Sequence, residues 1–136
     1  MVTFTKIHSF VEKLAEKAFN LGSDTLTVAL TNTAHTATWS QLSELTQVSY
    51  TNLSARALTI SSSAQTTGTY KLVLADLVLT STGGTTGPFQ YIYIYDDTAT
   101  NDELICYFDY GSALTLQNGD TFTIDFDPTN GVLQIA

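Results

Sequence analysis

The sequence predicts a mainly β fold, an antiparallel β-sandwich or jelly-roll-like barrel carrying one N-terminal amphipathic α-helix. Three observations predict it. Hydroxyl residues replace charges: the 136 residues include 24 Thr and 11 Ser, while only 13% are charged. Threonine is β-branched, loses rotamer freedom in helices and suits a pleated, half-exposed surface. From residue 57 onward, short apolar segments alternate with Gly, Asn and Pro punctuation at the spacing of a sandwich or barrel. Only one stretch, near the N-terminus, keeps a helical period. A chain of this length makes one domain, 1–136, with a single core.

The helix is expected over 6–21. Ile7, Phe10, Val11, Leu14, Ala18 and Leu21 fall on one stripe. Thr5 is a candidate cap, or Ser9 with Glu12 forms a capping box, and Gly22 is a natural stop. The i,i+4 pairs Glu12/Glu16 and Lys13/Lys17 are like-charged, so surface pairing does not hold this helix. It must dock its stripe on its own sheet or on a partner subunit.

After Gly22 the period becomes two. Leu26, Val28 and Leu30 alternate with Thr25, Thr27, Ala29 and Thr31, the pattern of a strand with one buried face. Residues 32–55 form a long excursion with the only Trp, Trp39, and a short helical turn at 40–45. Long ordered loops in compact domains are often functional, which makes this stretch a candidate for intermolecular contact.

Strands are expected at 57–63, 69–80, 88–95, 103–110, 113–116, 120–126 and 131–135. Turns fall at Thr67-Gly68, Gly83-Gly84, Gly87-Pro88, Gly111-Ser112, Asn118-Gly119-Asp120 and Asn130-Gly131. The run Tyr91-Ile92-Tyr93-Ile94-Tyr95 is apolar on both faces, so its strand is central or covered on both sides.

Charge and motif content exclude several functions. The formal net charge is −8, and residues 72–136 contain nine acids without one Lys or Arg. Nucleic-acid binders need cations to displace phosphate counterions, and anionic membranes attract basic segments, so neither partner is expected. No apolar run reaches the roughly 20 residues of a membrane-spanning helix. The N-terminal residues lack a signal-peptide layout. Cys106 has no internal partner and reads as a small apolar group within a strand. His8 and His35 sit in no nucleophile motif, and two His with one Cys do not make a zinc site. No enzyme and no cofactor are expected.

Two sets of candidate site residues remain. Asp96, Asp97, Asp102 and Glu103 flank one hairpin loop as weak calcium candidates. They miss the EF-hand spacing and read equally well as turn formers. The interface candidates are Ile7, Phe10, Val11 and Leu14 on the helix stripe, Trp39 in the excursion, and Tyr91, Tyr93 and Tyr95 on the aromatic strand. Tyrosine buries a large ring while keeping its hydroxyl wet, which suits contact surfaces, although sheet packing uses it too.

Several segments also carry a family texture: Phe4-Thr5-Lys6, Phe10-Val11-Glu12, Asn20 through Thr33, Ser62 through Thr66, and Gly68 through Leu72. Gly87-Pro88-Phe89, Phe108 through Ser112 and Phe122 through Asp127 continue it. Over nearly its whole length, least clearly at 34–50, the chain resembles a family of small tailed-bacteriophage and prophage virion structural proteins. The resemblance implies a capsid decoration (cement) protein on the head surface, made in the host bacterial cytoplasm. Its partners would be other virion proteins, chiefly the major capsid protein, and analogy with decoration proteins suggests a homotrimer. A tail, neck or fibre component is the first alternative, and a carbohydrate-binding β-sandwich module the second. The family brings no site motif with it.

Overall fold

The computed structural model describes residues 3–136. Met1 and Val2, part of the stretch read for an export signal, lie outside them. The fold is mainly β, with antiparallel sheets and one short helix, layered like a sandwich without barrel closure.

The largest sheet has four strands in the order β1-β7-β6-β2. These are β1 (Phe4–Lys6), β2 (Leu26–Thr31), β6 (Thr86–Asp96) and β7 (Leu104–Leu116). Between β2 and β6 in the chain come β3 (Ile60–Thr66), β4 (Thr69–Leu74) and β5 (Leu77–Thr80), and after β7 come β8 (Thr121–Ile124) and β9 (Leu133–Ile135). They form a three-stranded sheet, β3-β4-β9, and a two-stranded sheet, β5-β8.

The strand β6 explains the layering. It is central, as its two-faced apolar pattern requires, and residues Ile92–Asp96 are all buried. Ile92 and its cross-strand partner Phe108 face a cleft shared with Phe122, Ile124 and Phe126, so this face of the large sheet meets the smaller sheets. The opposite face presents Tyr91, Tyr93 and Tyr107 to the excursion, and the two layers make one continuous apolar core.

The helix departs from expectation. Residues 4–6 pair with β7 instead of coiling, and α1 spans only Phe10–Ala15. It ends in a Schellman closure, with Ala18 N–H donating to the Lys13 carbonyl (2.8 Å) and Lys17 N–H to Leu14 (3.3 Å). Lys17 takes the left-handed conformation (φ 68°) that this closure needs, so the stop comes five residues before Gly22. Ser9 is the N-cap, but its side chain caps nothing and the capping box with Glu12 does not form.

Strand boundaries differ too: the expected strand 57–63 runs as Ile60–Thr66, those at 120–126 and 131–135 shorten to Thr121–Ile124 and Leu133–Ile135, and three differences are larger. The expected strand 69–80 breaks at Ala75-Asp76, where the chain changes sheets: Asp76 Oδ1 accepts the Phe126 N–H (2.8 Å) across that corner. In contrast, 103–110 and 113–116 are one strand, β7. Gly111 (φ 91°) makes a bulge, opposite which β6 advances two residues while β7 advances five. Gly87-Pro88 lies inside β6, where a Cβ on Gly87 would come within 2.7 Å of the Leu114 carbonyl oxygen. The Thr67-Gly68 hairpin follows the sequence, with both residues at positive φ as a type I′ turn requires.

The strand β2 is buried on both faces, beyond the half-burial its alternation predicts. The long excursion, with the residues that follow it as far as Leu58, explains this by sealing the outer edge of β2. Leu58 N–H donates to the Leu26 carbonyl (2.8 Å), Val28 N–H to Arg56 (3.1 Å), and Val48 N–H to Leu30 (3.0 Å). Side chains complete the seal: the Tyr50 hydroxyl accepts the Leu30 N–H (2.9 Å) and Arg56 Nη1 donates to the Val28 carbonyl. The Arg56 guanidinium lies 3.7 Å over the Tyr50 ring, fixing both. An open sheet edge is a template for unwanted pairing, and here it is fully occupied from within the chain. This part of the excursion is intramolecular cover, and the helical turn expected in it is a 3₁₀ turn at Leu42–Glu44.

Candidate functional site

The tyrosine face of the large sheet gathers the densest set of aromatic and polar side chains. Antiparallel register sets Tyr93 opposite Tyr107, and their rings stack at 5.3 Å. The loop after β2 lays His35 over Tyr107 at 4.2 Å and aims His35 Nδ1 at the Tyr93 hydroxyl, 2.8 Å away. Trp39 stands edge-on to His35 at 5.9 Å and tilts against Tyr93. Burial, then the nearby Tyr107 and Tyr91, push the Tyr93 phenol up, so it keeps its proton at any ordinary pH. Burial, then His8, lower His35, which leaves the imidazole neutral at pH 7. The protonated phenol and the imidazole Nδ1 share this hydrogen bond, and the ring's tautomer sets which of them donates.

Beside this cluster lies a recess of about 450 Å³, lined by Thr3, Thr5, Ala34, His35, Tyr91, Tyr107 and Asp109. Asp109 Oδ1 accepts Gln90 Nε2 (2.9 Å) and the Gly111 N–H (2.8 Å), so the carboxylate is held by the bulge it stabilises.

The four calcium candidates do not converge, and among the described residues no three His, Cys, Asp or Glu side chains form a metal cage. Asp97 is exposed, and Asp102 sits at positive φ in the loop. Asp96 is buried, with Oδ1 accepting the N–H groups of Thr98 (2.9 Å) and Ala99 (3.1 Å), so it builds the hairpin turn. Its Oδ2 meets no donor. Burial foremost, then the neighbouring Asp24 carboxyl, push Asp96 up to about 7 against the pull of the loop N–H groups. Buried Glu103 faces a lysine instead of a metal, with Lys13 Nζ 3.6 Å from Oε1.

The interface candidates divide. Ile7 and Phe10 are buried in the chain's own core, Phe10 against Phe19 at 5.3 Å, and so are Tyr93 and Tyr95; none of these is available to a partner. Val11 is 51% exposed and Leu14 is half-buried. Together with Phe4, Val132 and Ile135 they line an apolar groove of about 670 Å³ between α1 and β9, at which Ile135 is 41% exposed. Trp39 is half-buried behind His35, and Tyr91 borders the recess.

No protein-family model, no curated protein and no solved structure matches this chain. The arrangement therefore speaks through its chemistry. Cys106 is fully buried within β7, and burial pushes its thiol up, away from the reactive thiolate. His35 is engaged with a phenol, with no nucleophile beside it. The surface carries a polar aromatic recess on one face and an apolar groove at the helix.

Sequence reasoning missed His35, Asp109 and Ile135 as surface features. Only the pairing register of β6 with β7, and the closing loop, bring His35 and Asp109 to the tyrosines. No local pattern carries that information.

Proposed function

We propose that this chain is a non-catalytic structural protein of a tailed-phage particle, a decoration subunit that docks on the head shell and strengthens it. The observation that carries the reading is the α1–β9 groove, where Val11 and Ile135 stay exposed. The same chain commits much of 46–58 to sealing one sheet edge, so apolar surface left open is a contact surface in waiting. Its partner in this reading is the major capsid protein, contacted by a homotrimer whose repeated docking turns modest contacts into firm attachment. The sequence resemblance supplies the particle, and the groove supplies the means of attachment.

The test mixes purified protein with mature heads lacking it and measures co-sedimentation. Wild type binds and raises the temperature at which heads release genome. The pair Val11→Asp and Ile135→Asp keeps the fold but loses binding. Attachment to purified tails alone would assign the chain to a tail, neck or fibre instead, and binding to neither structure would remove the particle reading.

A further inference from the structure

We propose that the recess beside His35 is a binding subsite for a neutral saccharide. The reasoning is independent of the particle reading and starts from what the recess brings together. Ring surfaces come from His35, which lies over Tyr107, and from Tyr91, and hydrogen-bonding groups from Thr3, Thr5 and Asp109. A volume of about 450 Å³ lies within the roughly 300–1,000 Å³ of small-ligand sites.

This combination matches a sugar's two kinds of surface. The ring C–H groups carry partial positive charge and pack on the electron-rich faces of aromatic rings. The hydroxyls are both donors and acceptors and need mixed partners. Asp109 provides a pre-set acceptor: Gln90 and the Gly111 N–H fix Oδ1, and Oδ2 is left for a ligand. The threonine hydroxyls both donate and accept. Among the described residues no Lys or Arg lines the recess, and Asp109 is the one charged side chain there, so acidic sugars are disfavoured. Loop anchoring accounts for the contacts among His35, Tyr93 and Trp39. It leaves Tyr91, Thr5 and the second Asp109 oxygen at the recess unexplained, and the saccharide uses all three. Trp39 stands behind His35 and supports the wall.

The experiment is a ¹H–¹⁵N NMR titration of the full chain. The probes are neutral oligosaccharides of glucose, galactose and N-acetylglucosamine, with choline and sialyllactose as charged controls. At least one neutral sugar should shift amides at Thr5, His35, Tyr91, Tyr107 and Asp109 with a millimolar Kd. Asp109→Ala should weaken binding about tenfold, the loss of one charge-assisted hydrogen bond. Thr5→Val, which leaves the bulge intact, should weaken it by a smaller factor at unchanged melting temperature. Silence of these residues toward every neutral sugar overturns the proposal. So does choline acting on them when the sugars do not, which would make the recess a cation cage, or sugar-induced shifts confined elsewhere.

Discussion

The buried carboxyl of Asp96 makes stability depend on pH in a way that one substitution removes. In the folded chain it is pushed up to about 7, against an ordinary value of 3.8. Between those limits the fold holds a proton that the unfolded chain has lost. Stability from this group is therefore fully present near pH 4, falls as pH rises, and levels off above about 7. About 3 units at 1.36 kcal/mol each sets an upper limit of about 4 kcal/mol, and water reaching the Asp24 side reduces it to about 2. Asp96→Asn cannot ionise. Its amide oxygen still accepts the Thr98 and Ala99 N–H groups, and its NH₂ supplies Asp24 with the donor that a proton supplies in the wild type. Urea denaturation of both proteins from about pH 4 to pH 8 should show equal stability at the acid end. At the alkaline end the variant should be more stable by about 2–4 kcal/mol. Parallel pH profiles would refute the reasoning, because they would mean that Asp96 is ionised throughout.

Three further outcomes follow from the packing. Tyr50→Phe keeps the ring under Arg56 but strands the Leu30 N–H inside the protein. It should cost about 1–3 kcal/mol by urea denaturation and increase aggregation measured by light scattering. Gly131→Ala places a Cβ against the Leu72 carbonyl at φ 76°, so a loss of about 2 kcal/mol or more is expected, with early hydrogen exchange in β9. Phe10→Ala should cost about 3–5 kcal/mol in thermal or chemical unfolding, because Phe10 anchors α1 to the core against Phe19. A loss of head binding without that destabilisation would return Phe10 to the role of a partner contact.

Much of the β framework was legible because period-two patterning and turn chemistry act locally. Tyr91 to Tyr95 announce a central strand, and Thr67-Gly68 announces a hairpin. The failures share one physical cause, that tertiary partners override local pattern. Asp76 is the one charge in the run from Leu72 to Leu79, and the corner forms there because its carboxylate accepts the Phe126 N–H beyond β8. Gly111 carries the positive φ of a turn residue but serves a bulge, whose extra residues are set by the pairing with β6. At the N-terminus the helical stripe formed only in part, for α1 carries Phe10, Val11 and Leu14 but buries Phe10 alone, and Ile7 lies outside it. A short strand took Phe4 to Lys6, where β7 had an edge to fill. The candidate site was less legible still. Its tyrosines stand in sequence, but His35 reaches them from a loop without periodicity.

The two edges of the large sheet bear on how any partner attaches. At β2 the edge groups from Leu26 to Leu30 are taken up by backbone and side chains of the excursion and the residues after it, so a foreign strand finds nothing to pair with. At the other end β1 is open, but it is three residues long and closes with Lys6, both features that discourage strand addition. Attachment by continuing the sheet is therefore disfavoured at both ends. On the proposed reading contact falls to side chains, and of the four large apolar ones left exposed among the described residues, Val11 and Ile135 lie together beside α1 and β9, whereas Val78 and Tyr110 stand outside the groove. On that account, binding should fail when Val11 and Ile135 are charged, and should survive Lys6→Pro, which bars strand pairing along β1 but leaves the groove's apolar walls in place. Loss of head binding by a folded Lys6→Pro variant, with the Asp variants still attached, would reverse the assignment and make the β1 edge the docking element.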